Sequence, residues 1–355
     1  MTAMDGLEDL SQKAPKLAYP CGEAPDGGVL VEVAPGVRWL RMPLPFVLRW
    51  INLWLIEDGD GWTAIDTGLG SNDSREIWTR VIGEALGGRP IKRVIVTHMH
   101  PDHVGCAGWL TERFGCELWM SRTEYYSCRI LAADTGQPAP EAGVTFYRQA
   151  GWDKAALEGY RKRFGGFGRA ITPLPNSYRR IRDGEDIEIG GRVWRLIGGS
   201  GHSPEHICLF QPELNVFISG DQLLPRISSN VSVFPTEPEA DPLTEWLDSC
   251  RKLRAALPED VLVFPAHNEP FTGAHHRLSA LIDGHERGLD RLLQRLRERP
   301  RSAVDVFGAL FARPIGPDLI MMATGEAIAH LNCLLARGAA IKDVGADGVV
   351  LYGPA

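Results

Sequence analysis

Arg93-Val94-Ile95-Val96-Thr97-His98-Met99-His100-Pro101-Asp102-His103 is the stretch that decides how this chain folds. Arg93–Val96 reads as a short buried strand that ends directly at Thr97-His98. Three histidines and a carboxylate follow within six residues. Imidazole nitrogens and carboxylate oxygens are the donors that zinc and similar divalent cations take. Side chains in a strand repeat direction every two residues, so His98 and His100 would share a face. At the strand end, a loop can aim Asp102 and His103 at a second point. The competing reading is a loop of ordinary surface histidines.

One loop does not close a four-coordinate site, so further donors are needed. Gly201-His202-Ser203-Pro204-Glu205-His206 follows the strand-like Arg192–Ile197. Ser219-Gly220-Asp221 follows Val216–Ile218, and Pro265-Ala266-His267 follows Val261–Phe264. Taken alone, each of these is ambiguous. Their joint recurrence of strand, small residue and donor is what a site at one edge of a sheet requires.

In these segments, together with Asp66-Thr67-Gly68, the sequence resembles the metallo-β-lactamase superfamily over about Val29 to Pro270. The resemblance implies an α/β protein, an αββα sandwich with two metals at the edge between its sheets. It implies that His98, His100 and His202 hold metal 1, that Asp102, His103 and His267 hold metal 2, and that Asp221 bridges both. Asp66 would orient the ligand loop; His206, close to His202 in sequence, either supports the ligands or is an ordinary structural histidine. Zinc is the default for such donors, with iron or manganese also accepted. Two metals roughly 3.5–4 Å apart lower the pKa of a shared water to about 7, and Asp102 can orient that water and take its proton. Arg226, five residues beyond Asp221, is either an anchor for a substrate carboxylate or phosphate or one half of a structural ion pair.

Outward from the site, Val29–Val33, Asn52–Ile56, Trp62–Asp66, Cys116–Met120 and Asp186–Ile189, Ile207–Phe210 read as strands. Ser74–Leu86 and Val104–Phe114 have helical spacing. Pro43–Leu48 reads as an apolar lip beside the site. Ser121–Ser177 lacks alternation and carries Tyr125, Tyr126, Phe146, Tyr147, Trp152 and Tyr160, which predicts a helical lid over the site, the alternative being a helical pair that covers a sheet face. Residues 1–28 form a polar tail, and 29–275 the catalytic domain. In 276–355, helices at Leu281–Arg297, Ala303–Phe311 and Gly325–Arg337 precede a hairpin over Ala340–Leu351, an order that resembles a winged-helix module.

Composition narrows the function. The 355 residues carry a net charge of -7, which argues against broad binding to nucleic acid or anionic membrane. From Arg277 to Ala355, 10 Lys and Arg face 9 Asp and Glu, whereas a module gripping phosphates shows a basic face. No apolar run is long enough to span a membrane, and none follows a basic start as in a signal peptide. Seven scattered cysteines without a C-x-x-C pair fit the reducing cytoplasm. The resemblance allows β-lactam hydrolysis, but true β-lactamases of the superfamily generally lack a residue like Asp221. The expectation is a hydrolase of small esters, thioesters or lactones, with a single-strand ribonuclease as the alternative. The tail module would either complete the pocket or form a homodimer contact.

Overall fold

Strands that are apolar on both faces need cover on both sides, and this chain builds two sheets of them. The computed structural model describes residues 17–355. In the first sheet β1 (Leu30–Ala34), β2 (Val37–Pro43), β3 (Trp50–Asp58), β4 (Gly61–Ile65), β5 (Ile91–Ile95), β6 (Glu117–Met120) and β7 (Arg179–Arg180) lie side by side in chain order. β1 to β4 pair antiparallel and β4 to β7 parallel. The second sheet runs β12 (Leu262–Pro265), β11 (Val216–Gly220), β10 (His206–Gln211), β9 (Arg192–Gly199), β8 (Asp186–Ile189), with only β11 and β12 parallel.

The sheets meet across a buried layer. Trp39, Trp54, Ile65 and Ile95 from the first pack on Trp194, Leu209, Ile218 and Phe264 from the second. Trp54 stacks on Phe264 with ring centroids 4.6 Å apart. Burying each such side chain stabilises the fold by roughly 2–3 kcal/mol. Alternate residues point outward: Met42, Leu53 and Leu55 pack under Trp78 of α1 (Asn72–Arg80), past the short α2 (Pro101–Val104), and under Leu110 of α3 (Ala107–Phe114) and Cys128 of α4 (Arg122–Ala133). Cys208, Phe217 and Val263 carry the other outer layer. It includes α5 (Glu141–Gln149), α6 (Lys154–Arg163), α7 (Pro242–Ala256), α8 (Ala274–Glu298), α9 (Phe307–Leu310) and α10 (Ile320–Ala336). β13 (Ala340–Val344) and β14 (Val350–Pro354) close the chain as a hairpin. The architecture is αββα. No helix among the described residues is long and apolar enough to cross a membrane.

Several expected elements change shape. β2 was not anticipated: Arg38 and Arg41 interrupt its apolar pattern, and their guanidinium groups lie over the rings of Trp62 and Trp50. α7 is a further element beyond those expected; Asp241 caps it by accepting from the Thr244 N–H, with Pro242 in its first turn. α8 starts at Ala274, so the division expected between 275 and 276 falls within its first turn. Ala303–Phe311 contracts to the four residues of α9. The first sixteen residues of the expected tail lie outside the described residues. Its remainder is laid onto the domain, where Ala18 bridges Thr272 and Leu17 packs on the apolar cluster.

The segment 121–177 is helical, and the rings of Phe146, Tyr147, Trp152 and Tyr160 are buried in the helical layer. Tyr147 stacks on Trp152 at 4.3 Å and lies 4.8 Å from Tyr160, all three buried with Leu243, Trp246 and Ala327. Trp152 Nε1 donates to Thr324 Oγ1 of α10 at 2.8 Å. These rings join α5 and α6 to the C-terminal helices.

Candidate metal centre

The donors arrive from strand ends, as a cluster at one edge of a sheet pair demands. The loop after β5 carries His98 and His100, and α2, opened by Pro101, carries Asp102 and His103. His202 follows β9, Asp221 follows β11 and His267 follows β12. They fall into two sets: His98, His100, His202 and Asp221 in one, Asp102, His103 and His267 in the other. Facing atoms within each set lie within 4.8 Å of one another.

Asp221 stands between the sets. Its Oδ2 is 3.3 Å from His202 Nε2, while its Oδ1 is 3.5 Å from Nε2 of both His103 and His267. Asp102 Oδ2 is 3.4 Å from His267 Nε2. Donors about 2.1 Å from a tetrahedral cation stand about 3.4 Å from one another, so these spacings are ligand edges. His103 Nε2, His202 Nε2 and Asp221 Oδ1 are buried without a hydrogen-bond partner. Such orphaned groups are costly in an interior unless something binds them. Donor chemistry and geometry both fit divalent cations.

In four of the five imidazoles Nδ1 is engaged by the protein frame. His202 Nδ1–H donates to Asn230 O, His267 Nδ1–H to Trp50 O and His103 Nδ1–H to Asp66 Oδ2, each at 2.8 Å. Thr97 Oγ1 donates to Asp66 Oδ2 at 2.9 Å and so accepts from His98 Nδ1 at 3.1 Å. These tautomers, assigned from the donor and acceptor pattern, leave the Nε2 lone pairs of His103, His202 and His267 turned into the cluster, and turn Nε2 of His98 toward His100 Nδ1, 2.8 Å away. Asp66 also accepts from the Thr97 N–H at 2.8 Å, and its backbone sits at φ 60, in the left-handed region. That conformation costs about 1 kcal/mol for a residue with a side chain. The bonds from Thr97 and His103 offset it.

Electrostatics point the same way. Burial holds His98 well below the ordinary imidazole range and takes His100 down to about 3. Burial works to raise the Asp102 carboxyl, but His103 and His267 beside it prevail and hold it at about 2. Asp221 is likewise held well below the carboxylate range by His267 and His103 against its burial. Burial opposes charge on His103, yet Asp66, Asp221 and Asp102 raise its affinity for a proton. A place where three carboxylates favour positive charge is a place for a cation.

His206 lies behind this layer. Its ring stacks on His98 with centroids 4.8 Å apart, and its Nε2 accepts the Asp221 N–H at 3.2 Å. Gly220 permits the approach, because a Cβ there would come 2.5 Å from that nitrogen. Arg226 takes the structural alternative: it pairs with Glu269 at 2.8 Å and lies over the Tyr19 ring.

Two supporting residues escaped the sequence reading. Glu124 of α4, fully buried, accepts from the Met99 N–H at 2.9 Å and the Glu205 N–H at 2.8 Å, tying the loop of His98 to the loop of His202. Asn52 of β3 accepts from Trp39 Nε1 and donates to Pro265 O, both at 2.8 Å, which fixes the loop of His267. A lone amide inside an apolar strand was the available signal for Asn52. Glu124 sits in an ordinary amphipathic helix and gave none.

Residues 50–267 match the family model of the metallo-beta-lactamase superfamily, and 289–355 match that of the metallo-beta-lactamase-like C-terminal domain. A solved beta-lactamase domain protein from Burkholderia ambifaria is 40% identical, with a TM-score of 0.88 over 96% of this chain and 98% of its own. The "probable metallo-hydrolase" YqjP of Bacillus subtilis is 26% identical over 84% of this chain and 92% of its own length. An atrochrysone carboxyl ACP thioesterase of Aspergillus fumigatus is 23% identical over 82% of this chain, which spans 55% of that longer protein. With a family match running across both sheets and every donor loop, this chain belongs to the metallo-beta-lactamase superfamily and is a metal-dependent hydrolase.

Proposed function

We propose that the chain is a dinuclear hydrolase of a small ester, thioester or lactone. The observation that carries this is the placing of Asp221, with one oxygen toward His202 and the other toward His103 and His267. His98, His100 and His202 would hold one ion and Asp102, His103 and His267 the other, with Asp221 shared. Two ions held there, zinc by preference of the donors, would supply an activated water and polarise the substrate carbonyl oxygen.

The remaining work falls to the chain. Asp102 is the most open carboxylate of the cluster, its side chain 19% exposed against 11% for Asp221 and 2% for Asp66. Held ionised, it orients a water in the cleft and accepts its proton as the carbonyl is attacked. Asp66, Asn230 O and Trp50 O hold the imidazoles still. A thioesterase among the relatives and the near-neutral C-terminal module favour an acyl substrate over RNA. In this reading α8 to α10 and the β13–β14 hairpin form a winged-helix-like module that completes the catalytic unit. All seven cysteines are unpaired, which suits the cytoplasm.

The test is a substrate screen of metal-saturated protein across thioesters, lactones, simple esters, phosphodiesters, β-lactams and single-stranded RNA, with metal content measured in parallel. The expected result is two ions per chain, turnover of an acyl substrate, and loss of both ions in Asp221→Ala. Saturation at one ion would overturn the dinuclear site. Salt-sensitive cleavage of RNA without acyl turnover would overturn the substrate class.

A further inference from the structure

Beyond the ligands, a second polar system is buried where the C-terminal helices meet the loop after Asp221. Its centre is Glu326 of α10, only 1% exposed. A buried carboxyl is costly, and an aliphatic side chain would fill the same space without that cost. Burial pushes the Glu326 carboxyl up to about 8, so it sits there uncharged at neutral pH. Its Oε2 accepts from Asn230 Nδ2 at 2.9 Å, across 96 residues of chain. Asn230 is the residue whose backbone oxygen receives the His202 Nδ1–H at 2.8 Å.

The contact is built for close approach. The Val233 N–H donates to Gly325 O at 3.0 Å, and Ser232 Oγ donates to Asn230 Oδ1. A Cβ on Gly325 would come 2.7 Å from both Cβ and Oγ of Ser232, so only glycine lets α10 lie this near the loop. A second chain of bonds holds the preceding residues. His330 Nδ1–H donates to Glu326 O at 2.9 Å, which leaves its Nε2 to accept from His285 Nδ1 at 3.3 Å. His285 Nε2 then accepts from Ser228 Oγ at 3.4 Å. Burial holds both imidazoles neutral, His285 at about 3 and His330 at about 4, as this one-way order of donors requires. Ser229 Oγ in turn donates to Asp221 O.

We propose that Asn230 and Glu326 form a positioning pair through which the C-terminal helix α10 fixes the His202 imidazole, so that metal affinity at the first donor set depends on the C-terminal module. This rests on the reading of His202 as a ligand. The pair does not touch substrate: it sets the carbonyl that sets the ring. Supporting partners of metal-bound histidines typically contribute ten- to a hundredfold in metal affinity.

The experiment measures zinc affinity by chelator competition on the full chain, resolving the two ions, in Asn230→Ala, Glu326→Leu, Glu326→Gln and His202→Ala. Expected are a ten- to a hundredfold loss at one ion in Asn230→Ala and Glu326→Leu, no change at the other, and recovery in Glu326→Gln, whose amide oxygen still accepts from Asn230. A merely structural role would weaken both ions together and would not distinguish Gln from Leu. Should Glu326→Leu fail to fold, Asn230→Ala carries the test, since it keeps the backbone carbonyl and removes only the tether. Wild-type affinities in both tether variants, with one ion lost in His202→Ala, would overturn the pair and leave the ligand assignment standing. Retention of both ions in His202→Ala would overturn that assignment and the proposal with it.

Discussion

Glu326 makes stability depend on pH in a way that one substitution isolates. Its carboxyl titrates at 4.5 when free and at about 8 when folded, because burial disfavours the charged form. Below pH 4.5 both states hold the proton and the residue adds no pH dependence. As pH rises from there, the unfolded chain ionises first, so stability falls by about 1.4 kcal/mol per unit until the folded carboxyl also titrates. The loss is complete near pH 8 and amounts to roughly 4–5 kcal/mol. Glu326→Gln keeps an acceptor for Asn230 and cannot ionise, so it escapes the loss. A chain of this length loses about 0.7 kcal/mol per degree at its midpoint, and somewhat under 1 kcal/mol is already lost at pH 5, so the variant should melt about 5 °C above the wild type at pH 8.5 relative to their difference at pH 5. Melting of both proteins at saturating zinc from pH 5 to 9 measures this, since every other group titrates in each. Parallel curves would refute the assignment of a neutral buried carboxyl at this position.

Three further outcomes follow from the same geometry. Asp102→Asn keeps the size but removes the anionic acceptor, and turnover of the metal-loaded variant should fall at least about a hundredfold; near-normal turnover would take the proton-accepting role from Asp102. Asp66→Asn tolerates the backbone at φ 60 but removes the charge facing His103, so affinity for the ion at the second donor set should drop ten- to a hundredfold with little change in fold; unchanged affinity would leave Asp66 a turn residue only. Trp152→Ala should destabilise the protein by about 3–5 kcal/mol while leaving KM within about twofold, because the ring is buried against α10; a large rise in KM without loss of stability would restore the lid.

What could be read from the sequence was set by where each piece of information resides. His98, His100, Asp102 and His103 fall within six consecutive residues, and metal chemistry restricts the residue types there, so they were legible in isolation. His202, Asp221 and His267 became legible through their common position at strand ends. β2 was hidden because Arg38 and Arg41 break an apolar rhythm that their stacking on Trp62 and Trp50 makes harmless in three dimensions. The rings of Tyr147, Trp152 and Tyr160 could not be placed from sequence for a related reason: composition reports that rings will be buried, and only packing decides whether substrate or α10 buries them. α7 is a different case, since Asp241-Pro242 with Leu243, Trp246, Leu247 and Cys250 at helical spacing marks the helix in the sequence itself. Glu124, Asn230 and Glu326 mark the real boundary. Each is an ordinary polar residue whose importance comes from a contact far along the chain, Glu124 with Glu205 and Asn230 with Glu326. No local pattern encodes such a pairing. Ligands are chosen by chemistry and announce themselves, whereas the residues that aim them are chosen by position, so a sequence shows the site before it shows what holds the site in place.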